Sequence, residues 1–199
     1  MGGLDLELLD SIISFQLDLN RLDAGVRQQV IEILVRMQRE LVAKLANEDL
    51  TAYGKQRTTA LLKDCDEILY RYYTIAQGAL DLTLQGVGGI TAAHTAQSLS
   101  VAVTLSTNLP TETFIKTLVS NALIQGSPTA GGWSTQSLDT TLKFANEVRQ
   151  GLAQGETNTQ IIARIVGKSG NPGIMDISKR NAAALVQSSV QAVANASRL

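Results

Sequence analysis

Few side chains in this sequence are of the types that carry out chemistry. There is one histidine, His94, and one cysteine, Cys65. A hydrolytic site needs a base held beside a nucleophile, and a lone histidine within AAHTAQ brings no such partner with it. Cys65 falls on the apolar stripe of a predicted helix with nothing basic positioned to lower its pKa, so we predict a buried structural thiol. The sequence therefore predicts no catalytic residue and a protein that is not an enzyme.

The spacing of acidic residues and glycines also argues against metal and cofactor sites. Helical bundles build di-metal centres from Glu-x-x-His pairs, but the residues three positions after Glu67 and Glu112 are tyrosine and isoleucine. The glycines at 86–89 follow a helical pattern rather than a strand, and the glycine-rich stretch at 126–132 contains no lysine. Neither stretch fits a dinucleotide-binding or phosphate-binding loop, so we predict no metal site and no cofactor.

The two ends of the chain differ in charge. Residues 1–50 carry nine acidic and five basic side chains, whereas residues 143–199 carry three acidic and seven basic ones. The formal net charge is only −1, which argues against a dedicated nucleic-acid-binding protein. Two interpretations of the basic end stay open: a solvated rim, or contact with an acidic partner surface or packaged DNA. The basic residues concerned are Arg149, Arg164, Lys168, Lys179 and Arg180.

The elements that would position these side chains are helices. Hydrophobic residues make up 44% of the chain and charged residues 18%, which favours a folded protein. An apolar stripe at steps of three and four predicts a helix over about 21–47, roughly 40 Å long. A second helix is predicted from Thr51 to Gln85, ended by the glycines at 86–89 and antiparallel to the first. The first stripe consists of Leu22, Val26, Val30, Ile33, Met37, Leu41 and Leu45.

A dense apolar segment precedes the first stripe. Two roles for it stay open, because it can fold back on the helical hairpin or insert into a neighbouring protein. The sequence does not choose between them. The segment contains Leu4, Leu6, Leu8, Leu9, Ile12, Ile13 and Phe15.

Shorter helices are predicted after residue 90. An alanine-rich helix spans about 90–105, and the stretch GSPTAGGW at 126–133 is the strongest loop signal and the best internal boundary. Ser134 then stands at an N-cap position. Trp133 and Leu138 have the spacing of a hydrophobic staple, which favours a packing role for Trp133 over a binding role.

The last third contains the clearest local signals. Thr157 and Gln160 have capping-box spacing, which predicts a short helix that ends at Gly167. Asp176 is predicted to cap the last helix, which runs to about Ser197. Its buried face is predicted to hold small side chains that let another helix approach closely: Ala182, Val186, Val190 and Val193. Together the patterns predict an all-α protein, with a long antiparallel helical hairpin arm at residues 1–86 and a bundle of shorter helices at residues 87–199.

The second half also carries an ordered series of motifs. They are Trp133-Ser134, GLAQGET at 151–157, IIARIVG at 161–167, ISKR at 177–180 and AAALVQSSVQAVAN at 182–195. The long helices of the first half and YRYY at 70–73 fit the same arrangement. In the order and spacing of these motifs, the chain resembles the phage head morphogenesis family, also called minor head or minor capsid proteins.

The resemblance implies a structural virion protein and carries over no catalytic residue. Such proteins are present in few copies at or near the portal, inside the capsid, and serve head assembly, DNA packaging or genome delivery. We therefore expect docking on the portal and/or the major capsid protein, with several copies per virion and a cytoplasmic stage in the host during assembly. The alternative is a DNA-associated internal protein ejected with the genome. No apolar run is long enough to predict a membrane span.

Two features depart from the family pattern. Gln187-Ser188 stands where members often have an arginine–threonine pair. Many members continue into a segment with tryptophan and cysteines, sometimes fused to a toxin-like enzyme domain, whereas this sequence ends at Leu199. We expect a naturally short member, a processed product or a shortened chain, without the activity of such an extension.

Overall fold

Helices dominate the structure, a computed structural model. Of the residues that the structure describes, 88% are helical, which confirms the all-α prediction. The described residues are 2–48, 54–103, 109–124, 127–168 and 170–198. Their helices are α1 (Gly2–Asn47), α2 (Lys55–Val103), α3 (Glu112–Asn121), α4 (Thr129–Ala153), α5 (Asn158–Val166) and α6 (Ile174–Ala196).

Two very short antiparallel strand pairs interrupt the helices. β1 (Leu123–Ile124) pairs with β2 (Ser127–Pro128), and β3 (Gly167–Lys168) pairs with β4 (Asn171–Pro172). The first pair lies between α3 and α4 in the sequence, and the second lies between α5 and α6. Of the first pair, only β2 falls in the stretch 126–133 that was predicted to be a loop.

The chain divides into two compact units, and each contains parts of α1 and α2. The first unit comprises Met1–Gln28, Ala79–Gly132 and Leu185–Leu199, and the second comprises Gln29–Gly78 and Trp133–Ala184. Both units contain residues from either side of position 86. The assignment of residues 1–86 to an arm and 87–199 to a bundle stays a prediction.

Cross-helix contacts show that α1 and α2 run antiparallel. In the second unit Lys44 Nζ lies 2.6 Å from Asp64 Oδ2, and Glu40 is bonded to Arg71. In the first unit Ser11 Oγ lies 3.1 Å from His94 Nε2. Residues nearer the start of α1 therefore contact residues farther along α2, as expected for two antiparallel helices.

The apolar stripe predicted for α1 is buried, apart from Leu22, which is half-buried. The helix itself begins at Gly2 rather than near residue 21, so the apolar N-terminal segment is its first turns. It ends at Asn47 as predicted. In the second unit Asn158 Nδ2 donates to the backbone oxygens of Leu45 and Glu48, at 2.9 and 2.7 Å. This bond satisfies carbonyls that the end of a helix leaves without partners.

The glycines at 86–89 do not end a helix, and this prediction is wrong. α2 continues through them to Val103, and none has a positive φ. A Cβ atom on Gly88 would lie 3.0 Å from Ile115 Cγ2 and 3.4 Å from Ser197 Oγ. Gly88 therefore serves close packing of helices in the first unit rather than termination. The predicted start at Thr51 and the predicted end at Leu105 lie outside the described residues.

The predicted N-cap at Ser134 is also wrong. α4 begins at Thr129, so Ser134 lies inside the helix, and Leu138 is 61% exposed and forms no staple. The two glycines that suggested a loop lie within the helix, and a Cβ atom on Gly132 would lie 2.9 Å from Leu185 Cδ1. Part of the predicted boundary, residue 126, lies outside the described residues. Trp133 is buried against Tyr73, with ring centroids 6.2 Å apart, in agreement with a packing role.

Local signals in the last third are largely confirmed. The Thr157 side chain accepts a bond from the Gln160 amide, and the Gln160 side chain accepts one from the Thr157 amide at 2.8 Å, which completes the capping box. Gly167 ends α5 with a φ of 96°. Asp176 does not cap α6, because the helix already begins at Ile174, but its carboxylate stands in the favourable first turn. The four residues predicted to form the buried face of α6 are all buried.

Candidate functional site

His94 has a structural role in the first unit. Its ring stacks on Phe15 with centroids 4.2 Å apart and planes inclined by 10°. Its Nε2 lies 3.1 Å from Ser11 Oγ and 3.3 Å from the Ser11 carbonyl oxygen. The imidazole thereby holds the N-terminal turns of α1 against α2. Ser11 Oγ and His94 Nε2 therefore stand at the distance of a nucleophile–base pair, but the same nitrogen also faces the Ser11 carbonyl oxygen, to which it can only donate.

Cys65 is buried on the apolar face of α2, as predicted. Burial raises the pKa of its thiol to about 12, because the charged thiolate is poorly solvated there. The thiol is therefore protonated at neutral pH and is a poor nucleophile.

The two glutamates considered as metal ligands each lie one turn from a lysine. Glu67 lies 4.0 Å from Lys63, and Glu112 lies 2.6 Å from Lys116, whose hydrogen bond lowers the pKa of that carboxyl. Within the described ranges, no group of three or more His, Cys, Asp or Glu side chains is close enough to hold a metal ion.

A buried polar network joins three helices of the second unit. The Tyr73 hydroxyl lies 2.6 Å from Ser178 Oγ and 2.8 Å from Thr140 Oγ1. Gln136 Nε2 donates to the Ser178 carbonyl oxygen at 2.8 Å. Burial raises the pKa of Tyr73, outweighing the hydrogen bonds that lower it. The hydrogen-bonded groups come from three helices, so the network fixes α2, α4 and α6 against one another.

Arg164 organises the segment that contains GLAQGET and IIARIVG. Its Nε donates to Glu147 Oε2 at 2.7 Å, and its Nη1 donates to Glu156 Oε1 at 2.9 Å and to Gln154 Oε1 at 3.2 Å. These bonds raise the pKa of Arg164 and join α4, the connecting turn and α5. A Cβ atom on Gly151 would lie 2.5 Å from a side-chain carbon of α5, so the first glycine of the motif permits this close approach. The motif GLAQGET already contained this glycine, but the partners of Arg164 could not be predicted from residue spacing.

The five basic residues considered for DNA or partner contact do not form one free patch. Arg164 is bonded as described, and Lys179 Nζ lies 2.9 Å from Asp176 and 3.1 Å from Gln38 Oε1. The other three are exposed: Arg149, Lys168 and Arg180. Arg180 Nε also donates to the Asp176 carbonyl oxygen at 3.4 Å, so three of the five are already engaged within the second unit.

Two grooves lie on the second unit, and neither was predicted. One, of about 360 Å³, lies between α2 and α4 and is lined by Tyr70, Trp133, Leu138 and neighbouring hydroxyl groups. The other, of about 650 Å³, lies beside the β3–β4 turn and includes Lys143 and Lys168. Both arise from the packing of distant segments, which sequence spacing does not reveal.

The clearest exposed apolar surface lies on the N-terminal turns of α1. We call it the outer α1 face and define it by Leu6, Leu9, Ile13 and Leu17, which are 69%, 53%, 49% and 51% exposed. The opposite side of the same turns is half-buried at Leu8 and Phe15 and buried at Leu19. Apolar side chains therefore cover both sides of this part of the helix. The predicted contribution of Leu4 lies outside the described side chains.

None of the helices that the structure describes combines the length and apolar character needed to cross a bilayer. No family model matches the chain, and neither a curated protein nor a solved structure matches it.

Proposed function

We propose that this protein is a structural component of a bacteriophage virion, a minor head protein that docks at the portal or the inner capsid wall. In that role it assists head assembly, DNA packaging or genome delivery, in several copies per particle. Its location is the capsid interior or the portal vertex, after a cytoplasmic stage during assembly. The ordered motifs at 133–195 motivate the choice of particle, and docking requires no catalytic residue or cofactor.

The observation that supports docking is the outer α1 face. A helix on the surface of a soluble protein normally turns a polar side to water, and large exposed apolar patches mark interaction sites. Covering the exposed half of one leucine or isoleucine side chain contributes roughly 1 kcal/mol, so four of them favour a stable contact. Since the inner side of α1 is already packed, a partner outside the first unit must provide that cover.

The test is fractionation of purified procapsids and mature virions produced by the genome that encodes this chain. We expect the protein in both fractions, at a few copies per particle, by quantitative mass spectrometry against the major capsid protein. A deletion of its gene should yield fewer infectious particles. Absence of the protein from procapsids and from virions contradicts the proposal.

The alternative, a DNA-associated internal protein, has one observation in its favour. The groove beside β3–β4 is lined by both Lys143 and Lys168, and Lys143 Nζ lies 2.7 Å from Asp139 Oδ2. Titration of double-stranded DNA at rising salt distinguishes the two functions. Binding through phosphates weakens steeply with salt and falls further in a Lys143→Gln, Lys168→Gln variant, whereas a docking protein binds little DNA at any salt.

A further inference from the structure

We infer that the outer α1 face binds an amphipathic helix with basic flanking residues, contributed by a different polypeptide. The inference rests on the proposed function, because it specifies the chemistry of the head component on which the chain docks. It also specifies the mode of binding, which is the packing of one helix along another.

The spacing of the outer α1 face suits a helical partner. Leu6, Leu9, Ile13 and Leu17 follow one another at steps of three, four and four residues, which places them on one stripe of the helix. The stripe is about 16 Å long, from eleven residues at a rise of 1.5 Å. Such a stripe accepts the apolar positions of a second helix for about three turns, as in other pairings of amphipathic helices.

Charge identifies the kind of helix. Helical spacing places Glu7, Asp10 and Asp18 in one row along a single side of the stripe. No lysine or arginine occurs between residues 6 and 20, and the first basic residue, Arg21, lies 3.0 Å from Asp18. Arg198 reaches this part of α1 at Gln16 Oε1, 3.5 Å away, but neither Glu7 nor Asp10 forms an ion pair among the described residues, so their negative charge lies beside the apolar stripe. A partner helix with lysine or arginine along its flank complements both features.

The same charges disfavour two other occupants. A second copy of this chain, paired antiparallel through the same face, would bring one acidic row against the other, and like charges across an interface are repulsive. An anionic membrane surface attracts basic amphipathic helices and repels this one. A basic helix from another protein is the occupant that the surface favours.

The experiment uses the full-length chain and two labelled synthetic helices, one of leucine and lysine and one of leucine and glutamate. Fluorescence anisotropy should show binding of the leucine–lysine helix and at least tenfold weaker binding of the leucine–glutamate helix, a difference of about 1.4 kcal/mol or more. A Leu9→Gln, Ile13→Gln variant should bind the leucine–lysine helix at least tenfold more weakly. A Glu7→Gln, Asp10→Asn variant should bind it several-fold more weakly, with less dependence on salt.

The matched control is Leu138→Gln, which changes a similarly exposed apolar residue on α4 in the second unit and should leave binding unchanged. Circular dichroism should show unchanged helix content and melting in all variants, because the substituted side chains are all exposed. Equal binding of the two synthetic helices, or no loss of binding in Leu9→Gln, Ile13→Gln, overturns the inference. So does self-association of the wild type that this variant abolishes, or its binding to anionic phospholipid vesicles.

Incorporation into particles separates this inference from the proposed function. Wild-type protein in particles and loss of Leu9→Gln, Ile13→Gln from them support both. Incorporation of both proteins in equal amounts leaves the virion function standing and overturns the docking surface. If the wild type is absent from particles, the proposed virion function is wrong. The inference that a head component contributes the bound helix is then wrong as well.

Discussion

The two compact units differ in how they use polar side chains. In the second unit, polar bonds join different elements, as in the Tyr73 network, the Arg164 bonds and the contact between Lys44 and Asp64. In the first unit the polar bonds between elements, Ser11 with His94 and Gln16 with Arg198, are exposed, and the ion pairs Asp18–Arg21 and Glu112–Lys116 join residues one turn apart on the same helix. The first unit also exposes the outer α1 face, which has no counterpart of similar length among the described residues of the second.

This difference indicates a division of roles. Buried hydrogen bonds between elements are satisfied in only one arrangement, so they fix a unique packing, whereas pairs one turn apart stabilise a helix without fixing its neighbours. The second unit is built as a rigid scaffold. The first unit leaves apolar surface for a partner, and its own packing relies on small residues such as Gly88.

The largest expected difference in the free energy of unfolding is between a substitution in the core of the second unit and one on the outer α1 face. Phe144 is fully buried in the second unit, so Phe144→Ala should lower the free energy of unfolding by about 3–5 kcal/mol through lost burial and the cavity left behind. Ile13→Ala, on the outer α1 face, should change it by no more than about 0.5 kcal/mol. Urea unfolding followed by circular dichroism measures both. A large loss in Ile13→Ala would mean that the face is already covered within the folded chain.

The next contrast concerns the polar network of the second unit. Tyr73→Phe removes a hydroxyl that bonds Ser178 and Thr140, and it should cost about 1–3 kcal/mol because those groups stay buried without it. Tyr70→Phe is the matched control, since Tyr70 is 72% exposed and its removal of a hydroxyl should change stability by no more than about 0.5 kcal/mol. Equal effects of the two substitutions in urea unfolding would show that the network contributes nothing specific.

Two glycine substitutions compare a helix position in close contact with another helix and a helix position with no neighbour within 4 Å. Gly151→Ala should destabilise the protein by about 1–3 kcal/mol, because its methyl group meets Ile161 and overpacks the second unit. Gly89→Ala, where nothing lies within 4 Å, should stabilise α2 by about 0.5–1 kcal/mol through reduced backbone entropy of the unfolded chain. Thermal melting checks both signs. Destabilisation by Gly89→Ala would indicate that the first unit is packed more tightly than its structure shows.

The last contrast concerns Cys65, whose effect appears only at alkaline pH. Its folded pKa of about 12 lies above the ordinary value of 9.0, so the folded state retains a proton that the unfolded state loses. The resulting stability is complete below pH 9 and is lost as the pH rises toward 12, at up to about 1.4 kcal/mol per pH unit. Cys65→Ala should show a shallower decline over this range.

Thiol labelling gives an independent check on the same residue. Cys65 should react with an aromatic disulfide reagent at neutral pH only after unfolding in guanidinium. Rapid labelling of the native protein would show that the α2 face around Cys65 opens, and the second unit would then not be the rigid partner in the comparison.

Much of the helical fold follows from the sequence, because periodic burial and capping are local. The stripe of α1, the capping box of Thr157 and Gln160 and the stop at Gly167 need only neighbouring residues. The failures at 86–89 and at Ser134 share one cause. Glycine has low helix propensity, which suggests breaks, but here Gly88 and Gly132 allow side chains of distant helices to approach.

The candidate site was less accessible to sequence reasoning. The exclusion of chemistry at Cys65 was argued from its place on an apolar stripe, and its burial agrees. The partners of Tyr73 and Arg164 lie on other elements, so the bonds could not be read from spacing. The apolar character of the N-terminal segment could be predicted, but which of its residues face outward depends on the packing of α1 in the first unit, and its two roles stay predictions.

Because Trp133 is buried against Tyr73, its fluorescence reports on folding without an added label. Trp133 is the single tryptophan, and it belongs to the second unit. Its emission, and energy transfer from the tyrosine ring 6.2 Å away, therefore follow the melting of that unit alone. Far-ultraviolet ellipticity follows the helices of both, so a difference between the two melting curves would reveal whether the halves unfold in one cooperative step or in succession.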